Sequence, residues 1–231
     1  MVYKSNPRAW LPACCVLCGV ALHGLLDLCA ACANELPLHR DGCPRCAMPL
    51  EGAGGVPCGQ CQRQPPRFDA CLAALRYDYP VREAIGRFKF HGELAAGRVL
   101  ALLLARRIAA LGPEYRAGIT LVPVPLHPTR LAERGFNQSE RIARVLAREL
   151  ALPMAPALAA RARRTDDQKA LDAAARRRNL ATAFTAAPCR AQRIALVDDV
   201  ITTGATLDAL AAALRAAGAA RVEAWCLARS L

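Results

Sequence analysis

The chain has 231 residues, of which 54% are hydrophobic and 22% are charged, and its formal net charge is +12. That length allows one hydrophobic core with a small additional module and leaves no room for a second large core. Residues 1–64 hold five basic and four acidic residues, so the remaining charge of +11 belongs to residues 65–231. Such an excess attracts phosphate-bearing ligands, but it does not choose between nucleotides, diphosphates and nucleic acid.

Ten of the twelve cysteines lie within residues 14–71, a density typical of a disulfide framework or a metal site. The uncharged stretch from Ala9 to Leu26 contains proline, glycine, histidine and cysteine, which argues against a signal peptide or a membrane span. We therefore expect a cytoplasmic protein without membrane insertion. Because paired cysteines in a reducing cytosol are more often metal ligands than structural disulfides, zinc is the favoured interpretation.

Four Cys-x-x-Cys pairs follow one another in this part of the chain: Cys15/Cys18, Cys29/Cys32, Cys43/Cys46 and Cys58/Cys61. Two such pairs complete a tetrahedral four-thiolate site, so eight cysteines predict two structural zinc ions. Pairing in sequence order closes loops of 10 and 11 residues and is favoured because short loops cost less entropy. Interleaved pairing is the alternative. We expect chelation to melt this small module and to spare the rest of the chain.

The run Gln64-Pro65-Pro66 breaks the chain, so we predict a cysteine-rich module over residues 1–64 and a second domain over residues 65–231. Apolar periodicity in the second domain predicts buried strands alternating with amphipathic helices. The expected order is an extended segment at 69–79, helices at 81–90 and 93–111, a strand at 119–125, a helix capped by Asn137, a strand at 194–197, a helix around 207–214 and a strand at 222–227. This alternation indicates an α/β fold with a mainly parallel sheet.

The segment from Ile194 to Thr206 combines a buried strand, two adjacent carboxylates, a turn rich in hydroxyls and glycine, and the start of a helix. The backbone N–H groups of Thr202 to Thr206 can surround a phosphate at the helix N-terminus, where Gly204 lets the backbone approach the anion. Asp198 and Asp199 suit ribose hydroxyls and a shared magnesium ion. Each part alone would be an ordinary turn or helix cap, but together they predict a sugar-phosphate site at the end of a parallel strand.

This thirteen-residue stretch resembles the 5-phosphoribosyl 1-diphosphate-binding motif of type I phosphoribosyltransferases. With Val122-Pro123-Val124-Pro125, Arg134-Gly135-Phe136-Asn137-Gln138 and the N-terminal Cys-x-x-Cys pairs, the chain is similar over nearly its whole length to the ComF family, which includes GntX-like proteins. The resemblance implies a type I phosphoribosyltransferase-like domain behind a double zinc ribbon. It also implies an association with competence, the uptake of transforming DNA.

The resemblance further implies that Asp198 and Asp199 are catalytic and hold the ribose hydroxyls. The implied ligand-binding residues that follow them are Val200, Thr202, Thr203, Gly204, Ala205 and Thr206. Arg130 and Arg134, in the loop after Pro125, would face the diphosphate because a guanidinium matches phosphate oxygens, with ordinary solvated surface as the alternative. The segment from Arg161 to Arg178, with seven basic and three acidic residues, would be a flexible loop that closes over the diphosphate, with Gln168 and Lys169 as its expected contacts. A solvated loop that leads into a basic helix is the alternative.

The sequence is compatible with two functions. The first is an enzyme that binds 5-phosphoribosyl 1-diphosphate with Mg²⁺ and transfers the phosphoribosyl group to an unidentified nucleophile. Such a transfer rests on positioning, magnesium and exclusion of water rather than on a nucleophilic side chain. The second is a non-catalytic DNA-binding adaptor of the transformation machinery, in which the zinc module and the basic surface contact DNA, single-stranded DNA included. Aromatic residues make up only 5% of the chain and do not interleave with arginine, so no stacking platform for single strands is evident.

Overall fold

The computed structural model of the chain describes residues 13–22, 26–50, 55–162 and 183–231. Its strands are β1 (Ala13–Cys14), β2 (Ala21–Leu22), β3 (Ala70–Arg76), β4 (Ile119–Pro123), β5 (Ala159–Arg161), β6 (Phe184–Ala186), β7 (Arg193–Ile201) and β8 (Arg221–Arg229). Its helices are α1 (Ala30–Asn34), α2 (Gly59–Arg63), α3 (Val81–His91), α4 (Leu94–Ala109), α5 (Pro113–Arg116), α6 (Pro128–Arg134), α7 (Gln138–Leu150) and α8 (Ala205–Ala216).

The central sheet has four strands in the order β3, β8, β7, β4, and every pair of neighbours is parallel. The longest ladder joins β7 to β8, from Arg193 opposite Arg221 to Ile201 opposite Arg229. Two short antiparallel ribbons, β1 with β2 and β5 with β6, lie outside this sheet. The predicted α/β class with a mainly parallel sheet is confirmed.

Side chains of the central strands alternate between two hydrophobic cores, one on each face of the sheet. On one face, Val197 and Trp225 pack against helices α3, α4 and α7. On the other face, Leu196 and Cys226 pack against α8 and the β5–β6 ribbon. Because both faces are covered, these strands are apolar almost without interruption, as in other parallel sheets. No helix of the described ranges is long and apolar enough to cross a membrane.

The cysteine-rich module shares a core with the α/β domain. Leu28 and Leu36 are buried in the same cluster as the apolar faces of α3 and α4. On the surface of this contact, a carboxylate oxygen of Asp27 lies 3.4 Å from Nη1 of Arg98 on α4. The two units predicted from the sequence are therefore packed together rather than joined only by a linker.

Residues 37–39 of the module cover the edge strand β3. Leu38 forms an antiparallel bridge with Leu75, and the N–H of His39 donates to the carbonyl of Ala74 at 3.0 Å. An edge strand covered in this way has fewer unpaired backbone groups open to another chain. Loss of the module would expose that edge, which revises the expectation that chelation spares the rest of the chain.

The strand predicted at 194–197 is longer than expected. Its backbone continues to pair with β8 beyond the apolar run, with Asp198 opposite Cys226 and Val200 opposite Ala228. The uninterrupted apolar run covers only the first part of the strand, while main-chain pairing extends it to Ile201. The two carboxylates are therefore strand residues, and the turn begins at Thr202.

Two other predicted bounds are also corrected. The helix expected to run to residue 111 ends at Ala109. Gly112, which was expected to end that helix, has a φ of 89° and directly precedes α5. The segment after Pro125 is a helix, α6, rather than a loop. His127 caps it by accepting a hydrogen bond from the N–H of Thr129 at 3.3 Å, and Gly135 ends it with a φ of 73°.

Candidate functional site

The turn between β7 and α8 has the geometry of an anion site. Gly204 has a φ of 77°, a left-handed conformation that favours glycine, and it stands at the N-cap of α8. Thr202 and Thr203 are exposed, and Oγ1 of Thr203 is 3.4 Å from the N–H of Ala205. Helix α8 therefore begins beside exposed residues, and its first backbone amides are those of Ala205 and Thr206. Backbone N–H groups in this position attract a phosphate through both hydrogen bonds and the helix dipole.

Two carboxylates on β7 precede this turn and contact different elements. Asp198 is half-buried, and its Oδ1 accepts hydrogen bonds from the hydroxyl of Ser139 and from the N–H of Asp199, each at 2.9 Å. Asp199 is buried, and its Oδ1 accepts a hydrogen bond from the N–H of Val200 at 2.6 Å. Within the described residues, Oδ2 of Asp199 is buried without a hydrogen-bond partner. A buried carboxylate oxygen in this state is unfavourable, and a bound cation or hydroxyl would offset the cost.

Burial, followed by the negative charge of Asp199, raises the pKa of Asp198 from 3.8 to about 7. Hydrogen bonds from Ser139 and from the N–H of Asp199, together with the charge of Lys89, oppose this shift. Two adjacent carboxylates in a poorly hydrated place repel each other, so one of them retains its proton more strongly. A cation or hydroxyl donors placed beside Asp198 would favour its ionised form.

Helix α7 positions Ser139, which is not among the residues predicted from the sequence. The predicted N-cap at Asn137 is confirmed: its side-chain oxygen accepts hydrogen bonds from the N–H groups of Ser139 and Glu140, at 3.0 and 3.4 Å. The amide nitrogen of Asn137 donates to the carbonyl of Val124 at 3.0 Å. The start of α7 is therefore fixed to the end of β4, and the hydroxyl of Ser139 reaches Asp198 from there.

Lys89 is a second unpredicted residue of the site. Its Nζ lies 2.8 Å from Oδ1 of Asp199, and its side chain is only 19% exposed. The sequence contained a usable signal, because Lys89 lies four positions after Ile85, on the buried stripe of α3 that also includes Val81 and Phe88. A lysine on the apolar face of a helix predicts a buried partner of opposite charge.

Arg229, at the end of β8, is the third unpredicted residue. It is buried, and its Nη1 donates to the carbonyl of Ile201 at 2.9 Å and also to the carbonyl of Thr202. Its Nη2 lies 3.8 Å from Sδ of Met48, a residue of the cysteine-rich module. Two carbonyls at the base of the turn are thus held by one guanidinium.

The structure attaches Arg134 to α3. Its guanidinium lies over the ring of Phe90, 5.3 Å from the centroid, and Phe90 directly follows Lys89. Arg130 lies on the same helix, α6, and is partly buried. Val200 packs partly into the core on the α3 face. Gln168 and Lys169 lie outside the described residues.

The eight paired cysteines form two clusters of four, within each of which the ligand atoms lie within 4.8 Å of one another. The clusters are Cys15, Cys18, Cys29 and Cys32, and Cys43, Cys46, Cys58 and Cys61. The Sγ atoms of Cys18 and Cys29 are 3.8 Å apart, and those of Cys46 and Cys58 are 3.7 Å apart. A tetrahedral site with zinc–sulfur bonds of about 2.3 Å requires sulfurs about 3.8 Å apart. Both clusters therefore fit structural zinc, and the pairs combine in sequence order, as favoured from loop length.

These features define a phosphoribosyltransferase-type α/β protein with two zinc-binding cysteine clusters at its N-terminus. Residues 8–62 match the double zinc ribbon domain family, and residues 137–231 match the phosphoribosyl transferase domain family. The chain belongs to the competence protein F family, as its similarity to several relatives over nearly the whole length shows.

Three relatives illustrate this similarity. The chain is 34% identical over 229 residues to the DNA utilization protein YhgH of Escherichia coli, covering 96% of this chain and 99% of that protein. It is 34% identical over 223 residues to competence protein F of Haemophilus influenzae, covering 94% and 96%. It is 26% identical over 235 residues to competence protein ComFC of Streptococcus pneumoniae, covering 93% and 99%.

Proposed function

We propose that this chain binds 5-phosphoribosyl 1-diphosphate, hereafter the donor, together with Mg²⁺, and transfers its phosphoribosyl group to a nucleophile. One observation carries the proposal. The carboxylate pair of β7 leads directly into a turn held open by Gly204 at the start of α8, and Oδ2 of Asp199 has no partner among the described residues. Carboxylates for the sugar and the backbone amides of Thr202 to Thr206 for its phosphate are thus three to eight residues apart in the sequence.

In this proposal the amides and hydroxyls from Thr202 to Thr206 bind the 5-phosphate, and Asp198 and Asp199 bind the ribose hydroxyls. The same two carboxylates would hold Mg²⁺, which when bound neutralises charge on the departing diphosphate. Ser139 keeps Asp198 oriented through its hydroxyl. Arg130 and Arg134 of α6 are proposed to contact the diphosphate, as are Gln168 and Lys169 of the basic segment.

Catalysis then depends on positioning rather than on a nucleophilic side chain of the protein. The 5-phosphate and the ribose hydroxyls are bound at two points, which fixes the sugar between the turn and the carboxylates. Negative charge from Asp198 and Asp199 would stabilise positive charge as it develops on the sugar ring. A closing segment would exclude water from the reacting carbon.

Titration calorimetry with the donor, with and without Mg²⁺, tests binding. We expect saturable binding that strengthens when Mg²⁺ is present. A screen of nucleophiles for released diphosphate then tests transfer. A chain that binds neither the donor nor ribose 5-phosphate under any of these conditions would contradict the proposal.

The names of the relatives suggest where such a protein acts. Those similar to this chain include a DNA utilization protein and two competence proteins. We propose that this chain likewise serves competence or DNA utilization, and does so in the cytoplasm.

A second function, DNA binding by a non-catalytic adaptor, is favoured by one surface feature. A groove of about 610 Å³ between α4 and α7 is lined by Arg98, Arg141, Arg144 and Arg148, with apolar side chains including Val145. Arg141, Arg144 and Arg148 are exposed and lie on one face of α7, with spacings of three and four residues. A row of guanidinium groups of this kind fits successive phosphates of a nucleic acid strand.

Replacing Arg141, Arg144 and Arg148 together with glutamine tests this groove. If it binds DNA, the affinity for single-stranded DNA should fall and its dependence on salt should become shallower, because fewer counterions are released. A variant with Arg82, Arg116 and Arg190 changed to glutamine removes the same charge elsewhere and should bind more tightly than the groove variant. Equal losses in both variants would indicate net charge alone, and a salt-independent affinity would exclude phosphate neutralisation.

A further inference from the structure

The C-terminal turn of α3 forms a further side of the candidate site. We propose that Lys89, which pairs with Asp199, is a donor-binding residue whose ammonium group contacts the diphosphate when the donor binds. This inference rests on the proposed function, and it assigns a protein contact to the diphosphate group of the donor.

The first support is the place of Lys89. Helix α3 ends at His91, and Gly92 closes it with a φ of 67°. The turn before that end reaches Asp199 on β7, since Nζ of Lys89 lies 2.8 Å from Oδ1 of Asp199. An ammonium group has three N–H donors, and within the described residues Asp199 is the carboxylate that Lys89 contacts. Donors thus remain for a second anionic partner.

The second support is the charge of the site. Asp198 and Asp199 place two carboxylates next to a turn that is suited to a phosphate, and both would repel a diphosphate. The ammonium of Lys89 compensates part of this charge. Once Mg²⁺ and ribose hydroxyls occupy the carboxylates, that role of Lys89 is no longer needed. A lysine has a compact charge on a flexible stem and can then follow the anion.

The third support is the neighbouring residue. Phe90 holds the guanidinium of Arg134 over its ring, so one turn of α3 positions two cations, one from α3 and one from α6. Phe90 is 70% exposed, so this end of α3 is open to solvent. Both cations are thus attached to the last turn of α3, and positive charge there would stabilise a negatively charged leaving group.

Titration calorimetry with two ligands separates this role from simple neutralisation of Asp199. The donor carries a diphosphate and ribose 5-phosphate does not, and both are measured with Mg²⁺. We expect Lys89→Met to weaken donor binding about ten- to a hundredfold and ribose 5-phosphate binding less than about threefold. Lys89→Arg keeps the charge and should recover part of the donor affinity.

Arg82→Met is the matched control, because it removes a positive charge near the other end of the same helix and should leave both affinities unchanged. Zinc content and thermal unfolding confirm that each variant is folded. The Lys89 proposal is overturned if Lys89→Met binds the donor like wild type, or if it loses affinity for both ligands equally. A wild-type chain that binds neither ligand overturns the proposed function, and this inference with it, whereas the other two results leave the proposed function intact.

Discussion

Arg229 donates a hydrogen bond to the carbonyl oxygen of Ile201 at 2.9 Å, which ties the end of β8 to the last residue of β7. The same guanidinium reaches the carbonyl of Thr202 and the sulfur of Met48. The N–H of Cys43 donates to the carbonyl of Met48 at 2.8 Å, so two residues, Met48 and Arg229, link the second cysteine cluster to the candidate phosphate turn. The shape of the turn therefore depends on residues that are distant from it in sequence.

Arg229→Met should weaken phosphate binding as well as stability. Two carbonyls at the base of the turn lose their buried donor, which costs about 1–3 kcal/mol in the free energy of unfolding. Because the turn is no longer held in place, we expect affinity for ribose 5-phosphate to fall about tenfold by calorimetry. Arg221→Met, at the other end of β8, serves as the control for destabilisation alone. Similar ligand affinities in both variants would show that Arg229 is only structural.

Asp198→Asn and Asp199→Asn should both reduce donor binding, but they should differ in stability. Loss of a charge-assisted hydrogen bond costs about 1.5–3 kcal/mol, which corresponds to about ten- to a hundredfold weaker binding. Asp198→Asn removes a carboxyl that repels its neighbour, so the melting temperature should hardly change. Asp199→Asn leaves the mostly buried Lys89 without its partner and should lower that temperature. Calorimetry with Mg²⁺ and thermal unfolding measure the two effects, and wild-type affinity in the double variant would place the site elsewhere.

The chain should bind two zinc ions, and their removal should destabilise more than the cysteine-rich module. Leu28 and Leu36 belong to the core of the α/β domain, and residues 37–39 cover β3. Chelation should therefore lower the melting temperature of the whole chain, and hydrogen exchange should increase in β3. Cys15→Ser and Cys43→Ser each disrupt one cluster and should reduce the zinc content to about one per chain. A wild-type content of one, or unchanged exchange in β3 after chelation, would contradict this prediction.

His39 should make stability depend on pH in mildly acidic solution. Burial, and next the charges of Arg107 and Arg229, lower the pKa of His39 below 6.5, while its Nε2 donates to the carbonyl of Ala47 at 2.6 Å. Below about pH 6.5 the unfolded chain binds a proton that the folded chain does not, so the free energy of unfolding falls as the pH falls.

His39→Gln keeps an N–H donor for the carbonyl of Ala47 but does not titrate. Comparing it with wild type therefore separates the contribution of His39 from that of cysteine protonation, which is the same in both. The stability advantage of wild type over His39→Gln should shrink between about pH 7.5 and about pH 5.5 in denaturant titrations. A difference that stays constant over this interval would mean that His39 remains neutral in both states or is protonated in both.

The sequence by itself determined the alternation of buried strands and helices, the order of the cysteine pairs and the position of the carboxylate pair before a glycine turn. Each of these is a local pattern: apolar periodicity, a two-residue gap between thiols, or adjacent residues with matching chemistry. The cap at Asn137 belongs to the same class, because its partners lie two and three residues away. Patterns of short range can be recognised without knowing how the chain folds.

Only the tertiary structure decided which distant residues surround the site. Lys89, Ser139 and Arg229 reach β7 or its turn from α3, α7 and β8, and the separation of Lys89 from Asp199 is 110 residues. Pairing with β8 extends β7 through both carboxylates. A search for uncharged, apolar runs in the sequence cannot detect this extension, because it stops at the first charged residue. The shared core of the cysteine-rich module and α4 is likewise a contact between segments that are distant in the sequence. Contacts of this range depend on sheet order and helix packing, which no local pattern in one chain specifies.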